Sequence, residues 1–130
     1  LIAAVASVSG AMLETDNTPN HPMPVLMIHG TSDGVIPYIG NNEYTSVEST
    51  LDFWINFNST DSTPHSKSIT SGGNSIEYKS YSNGNNSVSV EHYKINQGGH
   101  EWFDLNYEGK NTGELIWTFF SKYDIHGLRE

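Results

Sequence analysis

Short apolar runs separated by polar stretches predict a chain of brief strands and two helices. Residues 1–10 predict one strand, and residues 25–29 form a continuous apolar run typical of a parallel strand buried on both faces. Residues 76–81 and 88–95 predict two more strands. Between them, Asn83-Gly84-Asn85-Asn86 is a strong turn signal, because Asn and Gly accept positive φ. We therefore expect a β-hairpin here.

Apolar residues at helical spacing predict two helices, from Thr45 to Phe57 and from Thr112 to Tyr123. Thr45 and Glu48 fit a capping box, in which each side chain satisfies a free backbone N–H of the first turn. Either Asn111 or Thr112 can cap the second helix. The apolar face of that helix comprises Leu115, Ile116, Phe119, Phe120 and Tyr123.

Polar residues, Gly and Pro dominate residues 14–24 and 58–75, and we predict that both segments are loops. The resulting order of strand, strand, helix, strands and helix predicts an α/β fold. No change of composition marks a boundary between domains, and 130 residues are enough for one domain with one core.

The net charge of −9 argues against a nucleic-acid partner, because such a site needs a basic patch and none is visible. The same sign disfavours anionic membrane surfaces, and no apolar run reaches the roughly 20 residues that cross a bilayer. The chain has no cysteine, which excludes disulfides, zinc–thiolate sites and thiol catalysis. Its six histidines occur singly, without the spacing of metal ligands, so we expect no metal or other cofactor.

Two motifs carry candidate chemistry. Asp33 follows the run 25–29 and is therefore expected at the carboxyl end of a buried strand, where functional groups of open α/β sheets collect. His100 follows Gly98 and Gly99, which we expect to turn the backbone sharply and leave the imidazole uncovered. Alone, each residue also fits an ordinary role, as a turn aspartate or a surface histidine. Together they supply the acid and the base of a Ser–His–Asp triad, in the chain order of α/β-hydrolases.

The segment Gly30-Thr31-Ser32-Asp33-Gly34 matches the Gly-x-Ser-x-Gly pattern of a nucleophilic serine. A nucleophile elbow leads directly from a strand into a helix, whereas Pro37 closes this segment and does not begin such a helix comfortably. We therefore predict that Ser32 is a structural turn residue. Trp102 and Tyr38 are expected beside the Asp33–His100 pair, where they either bind substrate or anchor the loops by packing.

At these motifs the chain resembles the C-terminal half of the polyhydroxybutyrate depolymerase-like and feruloyl/acetylxylan esterase-like branch of the α/β-hydrolases. The resemblance covers nearly the whole chain: residues 4–12, Pro24 to Tyr38, Trp54 with Asn58, Gly98 to Trp102, and residues 116–120. It departs from the family in two features. The family often has paired cysteines, and its histidine loop commonly continues Trp-Pro-Gly rather than Trp102-Phe103-Asp104.

The resemblance implies that residues 1–130 are a partial α/β-hydrolase domain, with mostly parallel strands, flanking helices and the hairpin. It implies that Asp33 is the triad acid and His100 the base, while the nucleophile and oxyanion donors lie upstream of Leu1, in a missing N-terminal half that would act as partner. We expect a secreted or periplasmic carboxylic ester hydrolase acting on feruloyl or acetyl esters of plant polysaccharide, or on polyester. The alternatives are a non-catalytic carbohydrate-binding or interaction domain and a related serine peptidase.

Overall fold

The computed structural model describes residues 1–13 and 19–130. Five strands form one sheet in the order β1-β2-β5-β4-β3, with β1 Val5–Val8, β2 Val25–Gly30, β3 His65–Ser71, β4 Asn74–Tyr81 and β5 Val90–Ile95. Two small hairpins follow, β6 Asn106–Tyr107 with β7 Lys110–Asn111, and β8 Tyr123–Asp124 with β9 Gly127–Leu128. The helices are α1 Val47–Asn58 and α2 Thr112–Phe120.

The predicted fold class is wrong. The five-stranded sheet is mixed, because β2 lies parallel to β1 and β5, whereas β4 lies antiparallel to β5 and β3. In the described part of the chain, strands predominate and the two helices are short. The fold is therefore mostly β, and not the mostly parallel, helix-flanked half of an α/β-hydrolase sheet that we expected.

Strand β3 is the main element that sequence reasoning missed. Its residues lie within the segment 58–75 predicted as a loop, yet it pairs with β4 along its whole length. Its side chains are largely exposed, since it is an edge strand, and polar edge strands lack the apolar signal of central ones. Gly72 and Gly73, both with positive φ, make the two-residue turn that joins the two strands.

The remaining elements agree closely with prediction. Strands β1, β2, β4 and β5 and both helices occur where expected, and β4 and β5 form the predicted hairpin. Of the two predicted caps of α2, Asn111 is the N-cap, and it also forms a capping box with Glu114. The N-cap of α1 is Ser46 rather than Thr45, because the Ser46 hydroxyl accepts the Ser49 N–H at 3.1 Å. Of the predicted loop 14–24, residues 14–18 lie outside the described residues.

Two apolar clusters hold the sheet. One contains Leu26 and Ile28 of β2 together with Leu115 and Phe119 of α2. The other contains Val25 and Met27 of β2, with Val47 and Leu51 of α1. Strand β2 is therefore buried on both faces, as its continuous apolar run predicts. This burial fixes the carboxyl ends of β2 and β5, where the candidate site lies.

Candidate active site

Asp33 lies in a tight segment after β2, residues 31–37, called here the acid loop. Its Oδ1 accepts hydrogen bonds from the backbone N–H groups of Val35 and Ile36, at 2.9 and 2.8 Å. Its Oδ2 lies 3.0 Å from Nδ1 of His100, and the carboxyl side chain is fully buried. Both carboxylate oxygens thus have fixed partners, which leaves the side chain little freedom.

The charge state of Asp33 follows from these contacts. Burial by itself raises the pKa of the carboxyl, because it penalises the charged form. Hydrogen bonds from the Ile36 N–H, His100 and the Val35 N–H favour the carboxylate and together outweigh burial, so the pKa of Asp33 is lowered. Asp33 is therefore an ionised, buried carboxylate.

His29, at the end of β2, contacts two residues of the acid loop. Its Nε2 lies 2.8 Å from the carbonyl oxygen of Ile36 and 3.3 Å from Oδ2 of Asp33, and its side chain is buried. Because a carbonyl only accepts, Nε2 carries the proton and donates it to Ile36. His29 is therefore a structural residue at the end of a strand.

His100 lies in the segment after β5, residues 97–102, called here the histidine loop. Its side chain is 40% exposed, in contrast to the buried carboxyl that it contacts. Because an ionised carboxylate only accepts, Nδ1 of His100 donates to Asp33, and Nε2 of the neutral ring is left as the basic nitrogen. The pair therefore has the orientation in which an acid fixes the tautomer of a general base.

Glycine allows the two loops to approach each other. A Cβ atom on Gly30 would lie 2.2 Å from the carbonyl oxygen of Gly98, far inside contact distance. Our explanation of the glycines before His100 needs correction, because the residue with positive φ at this turn is Gln97, at +63°. Gly98 instead leaves room for Phe103 and Ile95, and a Cβ on Gly99 would meet open space.

The imidazole of His100 borders an open cleft of about 410 Å³ that is also lined by Val8, Ser9, Glu101 and Trp102. Trp102 is 59% exposed, so its ring is available to a ligand in the cleft. The predicted neighbourhood of Trp102 and His100 is thus present. Ser9 was not singled out from the sequence, and its only signal there is its place at the end of an apolar strand.

Tyr38 lies in the core, away from this cleft lining. It is 7% exposed, and its hydroxyl lies 2.9 Å from both Oε1 of Glu48 and Nε2 of His92. Burial raises the pKa of Tyr38, and the nearby Glu48 carboxylate raises it further. These contacts agree with the packing alternative for Tyr38, whose hydroxyl is buried and already contacts two side chains.

Ser32 is an exposed residue of the turn after β2, and its N–H donates to the carbonyl of Gly98 at 2.8 Å. The next helix begins only at Val47, so the strand–turn–helix geometry of a nucleophile elbow does not follow Ser32. Among residues 1–13 and 19–130, no three His, Asp or Glu side chains cluster as a metal site, and no helix is long and apolar enough to span a membrane.

No protein-family model and no curated protein sequence matches this chain. Asp33, His100 and the cleft beside them are the features of the chain that point to a function.

Proposed function

We propose that the protein is a serine-dependent carboxylic ester hydrolase in which Asp33 orients His100 as the general base. The observation that supports this most strongly is the 3.0 Å contact between a buried, ionised carboxylate and Nδ1 of a half-exposed imidazole bordering a cleft. A surface histidine or a turn aspartate needs no such partner. The proposal uses this pair and makes no use of the fold class.

In the proposed reaction, Nε2 of His100 takes the proton of a serine hydroxyl as the serine oxygen attacks the ester carbonyl. The carboxylate of Asp33 stabilises the imidazolium that forms. The imidazolium then gives its proton to the leaving alcohol, and an acyl-enzyme remains. Water, activated by the same histidine, releases the carboxylic acid and restores the serine.

We place the nucleophile upstream of Leu1, on a segment that completes the site together with oxyanion donors. Ser32 is unsuited to the role because no helix follows it to stabilise a developing oxyanion. This placement accords with the motif resemblance, in which only the acid and the histidine have counterparts in this chain.

The cleft and the net charge support a neutral substrate. With a net charge of −9, the protein would repel polyanions, whereas neutral polysaccharide esters and polyesters carry no such penalty. Trp102 offers an exposed aromatic face for a sugar or phenyl ring. We therefore propose feruloyl or acetyl esters of plant polysaccharide, or polyester chains, and a secreted or periplasmic location.

Ester hydrolysis by a form of the chain extended at its amino end to the natural start tests the proposal. On methyl ferulate and acetylated xylan, His100→Ala should lower kcat by at least about 10³-fold, because the base is lost. Ser32→Ala, in the adjacent loop, is the matched control and should retain activity. A loss below about tenfold in His100→Ala would refute the role of the histidine.

A non-catalytic carbohydrate-binding domain is a second candidate, favoured by two exposed tryptophans, Trp102 at 59% and Trp117 at 69%. It predicts xylan binding without hydrolysis, and it leaves the Asp33–His100 contact without a function. Affinity electrophoresis on xylan, run beside the ester assay, separates the two candidates. A serine peptidase would use the same pair, and amide substrates in the assay distinguish it from an esterase.

A further inference from the structure

We propose that Ser9 is a positioning residue whose hydroxyl holds the histidine loop in the geometry that His100 requires. This inference rests on the proposed function, because it assigns Ser9 a part in the work of that base. Ser9 lies directly after β1 and, as a lining residue of the cleft, shares that cleft with His100.

Ser9 is firmly held by the sheet. Its N–H donates to the carbonyl of Ile28 at 2.9 Å, which continues the pairing of β1 with β2 by one residue. It is 7% exposed, and its hydroxyl donates to the carbonyl oxygen of Glu101 at 2.8 Å. A hydrogen bond therefore links a fixed strand end to the residue next to His100.

The far part of the histidine loop has few other attachments. Within the described residues, 99–102 make two hydrogen bonds to the rest of the chain: His100 to Asp33, and the Glu101 carbonyl from Ser9. Glu101 and Trp102 are exposed, so packing restrains them weakly. Without the Ser9 contact, the Asp33–His100 hydrogen bond would be the one hydrogen bond between this segment and the rest of the described chain.

The backbone of Ser9 has a conformation that glycine adopts more easily. Its φ is +53°, a left-handed conformation in which Cβ is crowded and which glycine adopts without that cost. Six other non-glycine residues of the described chain also have a positive φ, so the assignment of Ser9 depends on its hydrogen bond and not on its backbone. A serine in this conformation is less stable than a glycine would be, but it supplies a hydroxyl that glycine lacks.

The hydrogen bond also distinguishes Ser9 from a nucleophile. A nucleophilic serine donates its proton to the basic nitrogen of the histidine, whereas the Ser9 hydroxyl donates to a backbone carbonyl. Its one proton is therefore engaged in holding the loop.

The test compares Ser9→Ala and Ser9→Gly with matched changes at Ser59. Ser59, the C-cap of α1, has nearly the same φ, +55°, and is no part of the cleft lining. The first measurement is the solvent exchange rate of the His100 Nδ1–H, by NMR on this chain. The second is kcat and KM for a soluble ester, in the extended form that carries the nucleophile.

Both Ser9 variants should accelerate Nδ1–H exchange and lower kcat, each by about tenfold, the effect of one net hydrogen bond, with KM changed less than twofold. Ser59→Ala and Ser59→Gly should leave the exchange rate and kcat unchanged. The glycine variant separates the hydroxyl from the strained backbone, because it relieves strain and still removes the hydrogen bond.

Unchanged exchange and kcat in both Ser9 variants would overturn the proposal. A loss of kcat above about 10³-fold with unchanged exchange would also overturn it, since that pattern identifies Ser9 as the nucleophile. If the extended form hydrolyses no ester, the proposed function fails. The exchange rates would then still decide whether the Ser9 hydroxyl restrains the histidine loop.

Discussion

The acid loop and the histidine loop meet at the same sheet edge but are held in opposite ways. The acid loop closes on itself, because Asp33 accepts two of its backbone N–H groups and His29 donates to the Ile36 carbonyl. The histidine loop is more open, and the His100 side chain is 40% exposed while that of Asp33 is fully buried. One loop provides a fixed charge, and the other presents a ring to the solvent.

This difference matches the division of work in an acid–base pair. The acid must stay ionised and keep one orientation, and both are favoured by the backbone hydrogen bonds that Asp33 accepts. The base must reach a reacting group, so it needs an accessible nitrogen. We therefore expect Asp33 variants to lose both stability and activity, and His100 variants to lose activity with little loss of stability.

The largest expected effect comes from forcing the two loops apart. In Gly30→Ala the new Cβ would lie 2.2 Å from the Gly98 carbonyl oxygen, so both backbones must shift. We expect the free energy of unfolding to fall by about 3 kcal/mol, measured by urea denaturation. Gly99→Ala is the control, since its Cβ meets open space, and should stay within about 0.5 kcal/mol. Equal stabilities would contradict the close approach.

Replacing Asp33 and His100 by alanine, one at a time, should lower the stability of the protein by different amounts. Asp33→Ala leaves two partly buried N–H groups of the acid loop without their acceptor and should cost about 2 kcal/mol of unfolding free energy. His100→Ala removes a half-exposed ring and should cost less than about 1 kcal/mol. Thermal or urea unfolding measures both. A larger cost for His100→Ala would reverse our comparison of the loops.

The pH dependence of the unfolding free energy should show the contribution of the ionised Asp33 carboxylate. Its pKa is lower in the folded than in the unfolded chain, so its contribution is fully present above the ordinary carboxyl range. That contribution is lost as the pH falls through the folded-state value. The stability difference between the wild type and Asp33→Asn should therefore shrink on acidification, as urea titrations at a series of pH values would show. A difference that grows at acid pH would refute the lowered pKa.

Substitutions of the two aromatic residues predicted beside the site should have different effects, on stability for Tyr38 and on KM for Trp102. Tyr38→Phe removes a buried hydroxyl that contacts Glu48 and His92, so it should cost about 1 kcal/mol of stability and leave KM unchanged. Trp102→Ala should change stability little and raise KM for polymeric or aromatic esters about tenfold, because it removes an exposed binding face. An unchanged KM in Trp102→Ala would end its proposed role in substrate binding.

Sequence patterns located the central elements because burial leaves a periodic signal. The apolar run of β2 and the capping residues of α2 were sufficient for their prediction. The fold class failed at β3, whose polar edge residues resemble a loop, although Gly72-Gly73 marked a hairpin turn. Assigning that segment to a loop made the sheet look more parallel than it is.

Local sequence patterns also predicted only part of the candidate site. Asp33 and His100 could be found because strand ends and glycines flank them in the sequence. The contact of Ser9 with Glu101 joins residues far apart along the chain, and no local pattern records it. Tyr38 was placed beside the site from its position after Asp33, but the acid loop turns its ring into the core.

Labelling with a fluorophosphonate probe tests the central claim most directly. On the form extended to the natural start, we predict covalent labelling at a serine upstream of Leu1. The label should persist in Ser32→Ala and be lost in His100→Ala. Labelling of Ser32, or undiminished labelling in His100→Ala, would contradict an active site in which Asp33 and His100 activate a serine upstream of Leu1.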